Sequence, residues 1–336
     1  MLQPPPLVTV LMPVYNTEAY LRESIESILR QTFTDFEFLI IDDASTDDSL
    51  RIIQSYSDPR IKLVRNPTNL KLIDTLNKGI MLAAGKYIAR MDADDISMPD
   101  RINKQVAFME ANPGTGICGT FFEHISKDGQ TGNRVKYATA DQDIRFRHLY
   151  QIQLCHGTSL IRAQVLKDHA LFFDKRYIHA EDFEFWTRVS RYCKLANIPE
   201  VLYKVRLHDT NVSVTYKDEQ AANTREIQKK QFSDLFEWTL SDLELDTFLD
   251  IVYSTFTGQP ETLDRIEGFL IRWQKQNEIE KAFPTEYLNG YIALQWFHFC
   301  YNASMSGSTV RRRYFGSPLP GTAFYNRLKL MLKTLL

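Results

Sequence analysis

Tyr87-Ile88-Ala89-Arg90-Met91-Asp92-Ala93-Asp94-Asp95 decides how this 336-residue chain reads. An apolar run ends in three carboxylates within four residues, the pattern of a strand that delivers acids to its carboxyl end. Like charges this close repel and raise each other's pKa, so the arrangement calls for a positive partner such as a divalent cation. All-oxygen ligation suits Mg²⁺ or Mn²⁺, and sparse protein ligation leaves positions for water and phosphate oxygens. The plain alternative is a solvated acidic loop, and the surrounding chain decides between the two.

Upstream, residues 7–14 form a short continuous apolar run, as expected of a strand buried on both faces. Thr17 is placed to cap a helix with Leu21, Ile25, Ile28 and Leu29 on one face. Residues 36–41 make a second buried strand that ends in Asp42-Asp43. Ser45 or Thr46 would cap a second helix burying Leu50 and Ile53, and residues 61–64 give a third strand. A third helix carries Leu72, Ile73, Leu76 and Ile80 inward, with Gly85 as its C′ residue. Residues 87–91 are the fourth strand, and Pro99 opens a helix running through Met109. Strands alternating with helices at this spacing predict right-handed crossovers and an α/β, doubly wound, mostly parallel sheet.

Polar residues collect at the ends of these strands. Tyr15 and Asn16 follow the first, Asp42 and Asp43 the second, and Asp92, Asp94 and Asp95 the fourth. Ligands of open parallel sheets bind beyond the carboxyl ends of the strands, so three strands aim polar groups at one crevice. That convergence outweighs the acidic-loop reading. No Gly-x-Gly-x-x-Gly follows the first strand and no Gly-Lys-Ser/Thr loop occurs, which disfavours a dinucleotide fold or an NTPase.

From Gly116 the pattern turns to α+β. A strand over 116–122, a hairpin turn at Lys127-Asp128-Gly129-Gln130, a helix over 141–150 and a strand over 158–161 are expected. A helix over 180–192 turns Phe183, Trp186 and Val189 inward and begins with a second acidic pair, Glu181-Asp182. Acids in a first helical turn also suit the dipole, so a structural role for this pair is the alternative. Short strands over 195–198 and 201–205 precede Arg206-Leu207-His208.

Beyond about Tyr216 the chain reads as helices, over 219–240, 243–256, 261–276 and 285–301. There Phe232, Phe236, Trp238, Trp273 and Trp296 read as packing residues. The expected division is 1–215 for the α/β domain and 216–336 for a helical C-terminal region. Residues 311–336 hold six basic residues and no acid. Phe324, Leu328, Met331, Leu332 and Leu335 recur there at helical spacing, with Lys329 and Lys333 opposite. Such a helix suits an anionic membrane surface, or else docks on its own domain.

Bulk properties narrow the field. Hydrophobic content of 44% and charged content of 24% are ordinary for a globular protein with a full core. A formal net charge of −2 argues against nucleic acid as the main partner. Cys118, Cys155, Cys193 and Cys300 form no Cys-x-x-Cys pair and read as thiols of a reducing compartment. No basic-then-apolar leader opens the sequence and no run reaches the length of a membrane span, so a cytoplasmic protein is expected, with possible attachment to the inner membrane face.

With these residues in view, the chain resembles family 2 of the glycosyltransferases, which have the GT-A fold. The likeness spans roughly 8–213. It rests on Met12-Pro13-Val14-Tyr15-Asn16, Ile41-Asp42-Asp43-Ala44-Ser45-Thr46-Asp47, Asn77-Lys78-Gly79-Ile80, and Asp92-Ala93-Asp94-Asp95 with Met98-Pro99-Asp100-Arg101. It continues through Ala180-Glu181-Asp182-Phe183-Glu184-Phe185-Trp186 and Arg206-Leu207-His208 followed by Ser213. Each element is weak alone, but the ordered set is specific. Lys71 and Ala44 stand where many members carry Gly. The Gln-x-x-Arg-Trp of processive members is absent, so polymer synthesis is not expected.

The resemblance implies an inverting transferase that moves a sugar from a nucleoside diphosphate, with UDP favoured, to a glycan or lipid-linked saccharide in surface polysaccharide assembly. Tyr15, Asp43 and Pro13 fall at the nucleotide base. Asp92 and Asp94 match the family's DXD, with Asp92 near the ribose and Asp94 on a Mn²⁺ or Mg²⁺ ion. Asp95, a position that varies among members, is the weaker ligand candidate. His208 is a further candidate for the metal or the diphosphate. Asp182 matches the base that activates the acceptor hydroxyl. The rivals are a sugar-phosphate nucleotidyltransferase, which needs a Gly-rich loop after the first strand, and a nucleotide-sugar or glycan-binding protein that has lost turnover. Retention of Asp92, Asp94 and Asp182 argues against that loss.

Overall fold

Residues 4–209, 215–255, 260–303 and 307–321 are described in the structure, a computed structural model of the chain. It divides into two compact units, Met1–Thr224 and Arg225–Leu336.

In the first unit the strands are β1 (Val8–Val14), β2 (Phe36–Asp42), β3 (Ile61–Arg65), β4 (Tyr87–Arg90), β5 (Ile96–Ser97), β6 (Thr115–Ser126), β7 (Thr131–Val135), β8 (Leu160–Arg162) and β9 (Lys194–Leu207). They form one sheet in the order β3-β2-β1-β4-β8-β6-β9-β5, with β7 paired to β6 off that path. The first four are mutually parallel. Beyond β4 the sheet is mixed: β8 is antiparallel to β4 and β6, whereas β6 and β9 are parallel. β1 lies between β2 and β4, so the strand order reverses at its two sides and a crevice opens beyond its carboxyl end.

The helices are α1 (Leu21–Leu29), α2 (Ser49–Gln54), α3 (Lys71–Leu82), α4 (Arg101–Ala111), α5 (Asp141–His148), α6 (Ala163–Asp168) and α7 (Glu181–Val189). Two apolar cores form on the sheet's faces. One gathers Val10, Met12, Ile25, Ile28, Phe38 and Ile102. The other gathers Leu11, Ile41, Ile73, Leu76, Phe185 and Trp186. The largely apolar runs of β1 and β2 exist because each strand feeds both layers.

Several local expectations are overturned. Thr17 does not cap α1: Tyr20 holds the N-cap position without a side-chain bond. Ser45 and Thr46 do not cap α2, which starts after Asp48. These residues join two loops instead. Ser45 Oγ accepts from Asn16 N–H at 3.1 Å, and Asn16 Oδ1 accepts from Thr46 N–H at 2.8 Å. Ile52 rather than Leu50 is buried with Ile53, and Leu72 faces solvent while Ile73, Leu76 and Ile80 pack. Gly85 is no left-handed C′ residue, since α3 ends at an extended Ala83. A Cβ there would stand 2.5 Å from Thr9 N, so glycine is required by the close passage of β1. The strands expected over 195–198 and 201–205 are one, β9, whose register against β6 shifts after Ile198.

In the second unit, helices Asp242–Tyr253, Pro260–Glu280 and Thr285–Asn302 enclose an aromatic core. The five aromatics read as packing residues are all buried, with Phe232 and Phe248 centroids 4.7 Å apart. A further helix, Gly307–Gly316, turns Arg313 inward to Asp264 and, at 3.0 Å, to Glu267. That cation is therefore no part of a solvent-facing basic stripe. Residues 322–336, including Phe324, Leu328, Lys329, Met331, Leu332, Lys333 and Leu335, lie outside the described residues, as does Ser213.

Candidate active site

Pro13 lies near the end of β1, two residues past Leu11, the last β1 residue paired with β4. Its missing N–H is harmless there because that edge opens on the crevice. Tyr15, just beyond, is 45% exposed and offers a bare ring. Asp43, after β2, is buried. Its Oδ1 accepts from Asn66 Nδ2 at 2.7 Å and Leu70 N–H at 2.8 Å, while Oδ2 accepts from Lys71 N–H at 2.9 Å. The carboxylate thus fixes the loop before α3. Ala44 and Lys71, where the resemblance expects glycine, adopt φ of 59° and 72°. The glycine preference at both positions has a steric cause.

The acidic turn after β4 separates its three carboxylates by environment. Asp92 Oδ1 accepts from Arg90 Nη2 at 2.6 Å. Its Oδ2 is faced by Gly157, where a Cβ would stand 2.8 Å away. Burial and the Asp94 charge raise the Asp92 pKa against the pull of Arg90. Asp95 is buried, accepts from Arg206 N–H at 2.8 Å, and is held well above the usual carboxylate range by burial and by Asp94 and Asp92. It supports the turn. Asp94 Oδ2 lies 2.9 Å from His208 Nε2, with both side chains partly accessible.

Buried cations hold this turn in place. Arg206, 2% exposed, donates to the Asp94 carbonyl at 2.9 Å and to the carbonyls of Ser126 and Lys127 at 3.3 Å, and pairs with Glu23. Its guanidinium sits 4.8 Å from the Tyr20 ring centroid, and Tyr20 stacks on His208 at 5.2 Å. Arg101 spans the carbonyls of Gly157 and Arg90, each at 2.8 Å. Sequence reasoning missed Arg90, Tyr20, Gly157 and Tyr203, whose hydroxyl accepts from Asp92 N–H at 3.1 Å. An arginine ending an otherwise apolar strand beside two acids was the available signal for Arg90.

Asp182 lies in the first turn of α7, whose Phe183, Phe185, Trp186 and Val189 anchor it in the core. Its Oδ1 accepts from Phe183 N–H at 2.8 Å. Burial, then the charges of Glu181 and Asp92, raise its pKa to about 7. Asp182 also acts electrostatically on Tyr137 and Cys155, and Cys155 in turn feels Asp95 and Asp92. The two acidic segments, 90 residues apart in sequence, therefore meet in one low-dielectric neighbourhood.

Among the described residues no group of three or more His, Cys, Asp or Glu side chains is placed to hold a metal ion. The Asp94–His208 pair nevertheless fits a diphosphate-bound cation. Adjacent ligands of an octahedral ion with bonds of about 2.1 Å stand about 3 Å apart, and the observed separation is 2.9 Å. Such an ion would take its remaining ligands from phosphate and water.

The parallel half-sheet β3-β2-β1-β4, continued by mixed strands, has the GT-A architecture, with an Asp-x-Asp turn after β4 and a half-buried acid in the first turn of α7. The comparisons agree: the chain belongs to family 2 of the glycosyltransferases and is an enzyme of that class. The family described as Glycosyl transferase family 2 matches residues 9–170. A Haemophilus influenzae protein described as an uncharacterised glycosyltransferase is 39% identical over 238 residues, covering 68% of this chain and 74% of that protein. The Escherichia coli UDP-Glc:alpha-D-GlcNAc-diphosphoundecaprenol beta-1,3-glucosyltransferase WfgD is 29% identical over 211 residues, 62% of this chain and 79% of that protein. The crystal structure of S. aureus TarS 1-349 in complex with UDP-GlcNAc has the same fold, with a TM-score of 0.58 at 17% identity over 86% of this chain and 89% of that one. Among the described residues no helix is long and apolar enough to cross a membrane.

Proposed function

We propose that the chain is an inverting, non-processive transferase that moves a sugar from a UDP-sugar to a saccharide acceptor, with Asp182 as base. The observation that supports this is that Asp182, in the first turn of α7, feels the Asp92 charge, as a proton acceptor near the Asp-x-Asp turn would.

Tyr15 stacks on the base, and Asp43 Oδ2, which takes one donor from Lys71, keeps a lone pair for an imide N–H. Asp92, held by Arg90, faces the ribose. Asp94 and His208 would hold the cation, Mn²⁺ or Mg²⁺. When bound, that ion neutralises the negative charge that the leaving group gains. Asp182 takes the proton of the acceptor hydroxyl, which attacks the anomeric carbon from the face opposite the nucleotide. The C–O bond to the diphosphate breaks as the new one forms, so the configuration inverts. A base with a pKa of about 7 is matched to neutral pH, since it is substantially deprotonated yet still basic.

Two names support the donor and acceptor classes. WfgD acts on a diphosphoundecaprenol-linked sugar with UDP-Glc, and TarS was crystallised with UDP-GlcNAc. A lipid-diphosphate-linked saccharide at the inner membrane face fits this chain too, with residues 322–336 as the membrane-directed segment. A melting-point panel of nucleoside diphosphate sugars with and without Mn²⁺ tests the reading. UDP-sugars should raise the melting temperature only with the metal, because a ligand confined to the native state stabilises it. No stabilisation by any nucleoside diphosphate sugar overturns it.

A further inference from the structure

We propose that the segment from Tyr216 to Asn223 is a clamp that positions Asp182 by holding His179 in a left-handed conformation. The inference rests on the reading of Asp182 as the base.

α7 begins at Glu181 without a side-chain cap, because Ala180 occupies the N-cap position. The backbone entering this helix is therefore fixed by something else. His179 has φ 67°, a region that side chains with a Cβ avoid. Strained conformations of this kind persist only where the surroundings over-determine them, and they cluster at functional sites. The surroundings here come from one segment. Gln220 Nε2 donates to the His179 carbonyl at 2.7 Å, and Asn223 Nδ2 donates to the Ile178 carbonyl at 2.8 Å. The His179 ring stacks on Tyr216 with centroids 4.0 Å apart and planes 14° apart. Its Nε2 lies 3.7 Å from Glu219 Oε2.

The residue three positions before Asp182 is thus gripped at its carbonyl and its ring. Rotation at 178–180 would swing the first turn of α7 and carry the base off its line to the acceptor. His179 and the residues holding it are positioning residues, since none of them is placed on the donor.

The test uses the full chain and the UDP-sugar chosen by the melting-point panel, with Mn²⁺ and UDP release as the readout. The double variant Tyr216→Ala, Gln220→Ala should lower kcat about 10- to 100-fold, the scale of losses from a slight misplacement. Donor KM and metal-dependent donor affinity should stay within about twofold. The groups facing Asp182 are Glu181, Asp92, Tyr137 and Cys155, all of which remain in the variant. A loosened Asp182 would still be better hydrated, so the acidic limb of the kcat–pH profile should move to lower pH. Tyr216→Phe keeps the stacked ring and should behave as the parent.

Unchanged kcat with an unmoved acidic limb overturns the clamp. So does a loss of donor affinity in step with kcat, because that marks a general structural role. If the double variant fails to fold, Gln220→Ala alone is read by the same two measurements, and unchanged kcat there is equally fatal. Asp182→Asn is assayed in parallel: full turnover in it removes the base assignment, whereas lost turnover with an indifferent clamp removes only this inference.

Discussion

His208 Nε2 lies 2.9 Å from Asp94 Oδ2, although 114 residues separate them in sequence. The end of β9 brings the imidazole to the turn after β4, and Tyr20, at the start of α1, lies flat against it. Three distant segments therefore converge on the proposed pair of cation ligands. Asp94→Ala and His208→Ala should each abolish metal-dependent donor binding, measured by calorimetry with and without Mn²⁺. Tyr20→Leu removes only the ring support and should weaken Mn²⁺ affinity roughly tenfold, the lower end for residues that orient ligands. Undiminished Mn²⁺ binding in His208→Ala would remove the histidine from the site.

Asp182→Asn should keep donor binding and lose about 10²–10⁴-fold in turnover, the usual contribution of a general base. In the parent, activity should rise with pH through about 7 as the carboxylate deprotonates. Parent turnover in the variant would exclude Asp182 from proton transfer.

The same residue links stability to pH. Its pKa in the folded chain is about 7, against an ordinary 3.8. Between those values the native state binds a proton that the unfolded chain has lost, so this group makes stability fall as pH rises. The asparagine variant should therefore melt above the parent at pH 8, and the gap should close toward pH 4. Melting curves at the two pH values decide it, and a gap that widens at low pH contradicts the burial of this acid.

Lys71→Gly tests the backbone before α3. A left-handed residue with a Cβ costs about 1–2 kcal/mol, and glycine returns part of that gain through its freer unfolded chain. The net stabilisation should be at most about 1 kcal/mol, read from urea unfolding. Clear destabilisation would show that the lysine side chain, not its backbone, matters there.

Arg206→Met should destabilise the chain by about 3 kcal/mol or more. It removes the buried guanidinium that donates to the Asp94, Ser126 and Lys127 carbonyls and pairs with Glu23, and with it the cation over Tyr20. Guanidinium-chloride unfolding would report the loss, and near-parent stability would refute the bracing role given to Arg206.

The membrane reading calls for a cut after Gly321 rather than before Arg311. Removing 311–336 would also delete Arg313 and the buried Tyr314 and Leu319, and so damage the second unit. Loss of sedimentation with anionic liposomes on deleting 322–336 is the expected result, while full retention would rule this segment out as the anchor.

Much of the candidate site was legible because its residues sit where strands end. Tyr15, Asp43 and Asp92 each follow a largely apolar run, and that juxtaposition survives without coordinates. The helix caps were misread at Thr17, Ser45 and Thr46 because short polar side chains bond equally well to a neighbouring loop, and only the fold shows which partner is near. Gly85 was misread for a similar reason, since a close backbone passage leaves the same letter in the sequence as a left-handed turn.

By itself the sequence determined the parallel half-sheet and the acids at its mouth, because strand periodicity and burial are local properties written in residue type. Only the tertiary structure decided which acid does what. Asp92 is tied to Arg90, Asp94 meets His208, Asp95 is committed to Arg206, and Asp182 is raised by burial beside Asp92. A carboxylate's role follows from its dielectric surroundings and its neighbours' charges, and those are set by residues up to a hundred or more positions away.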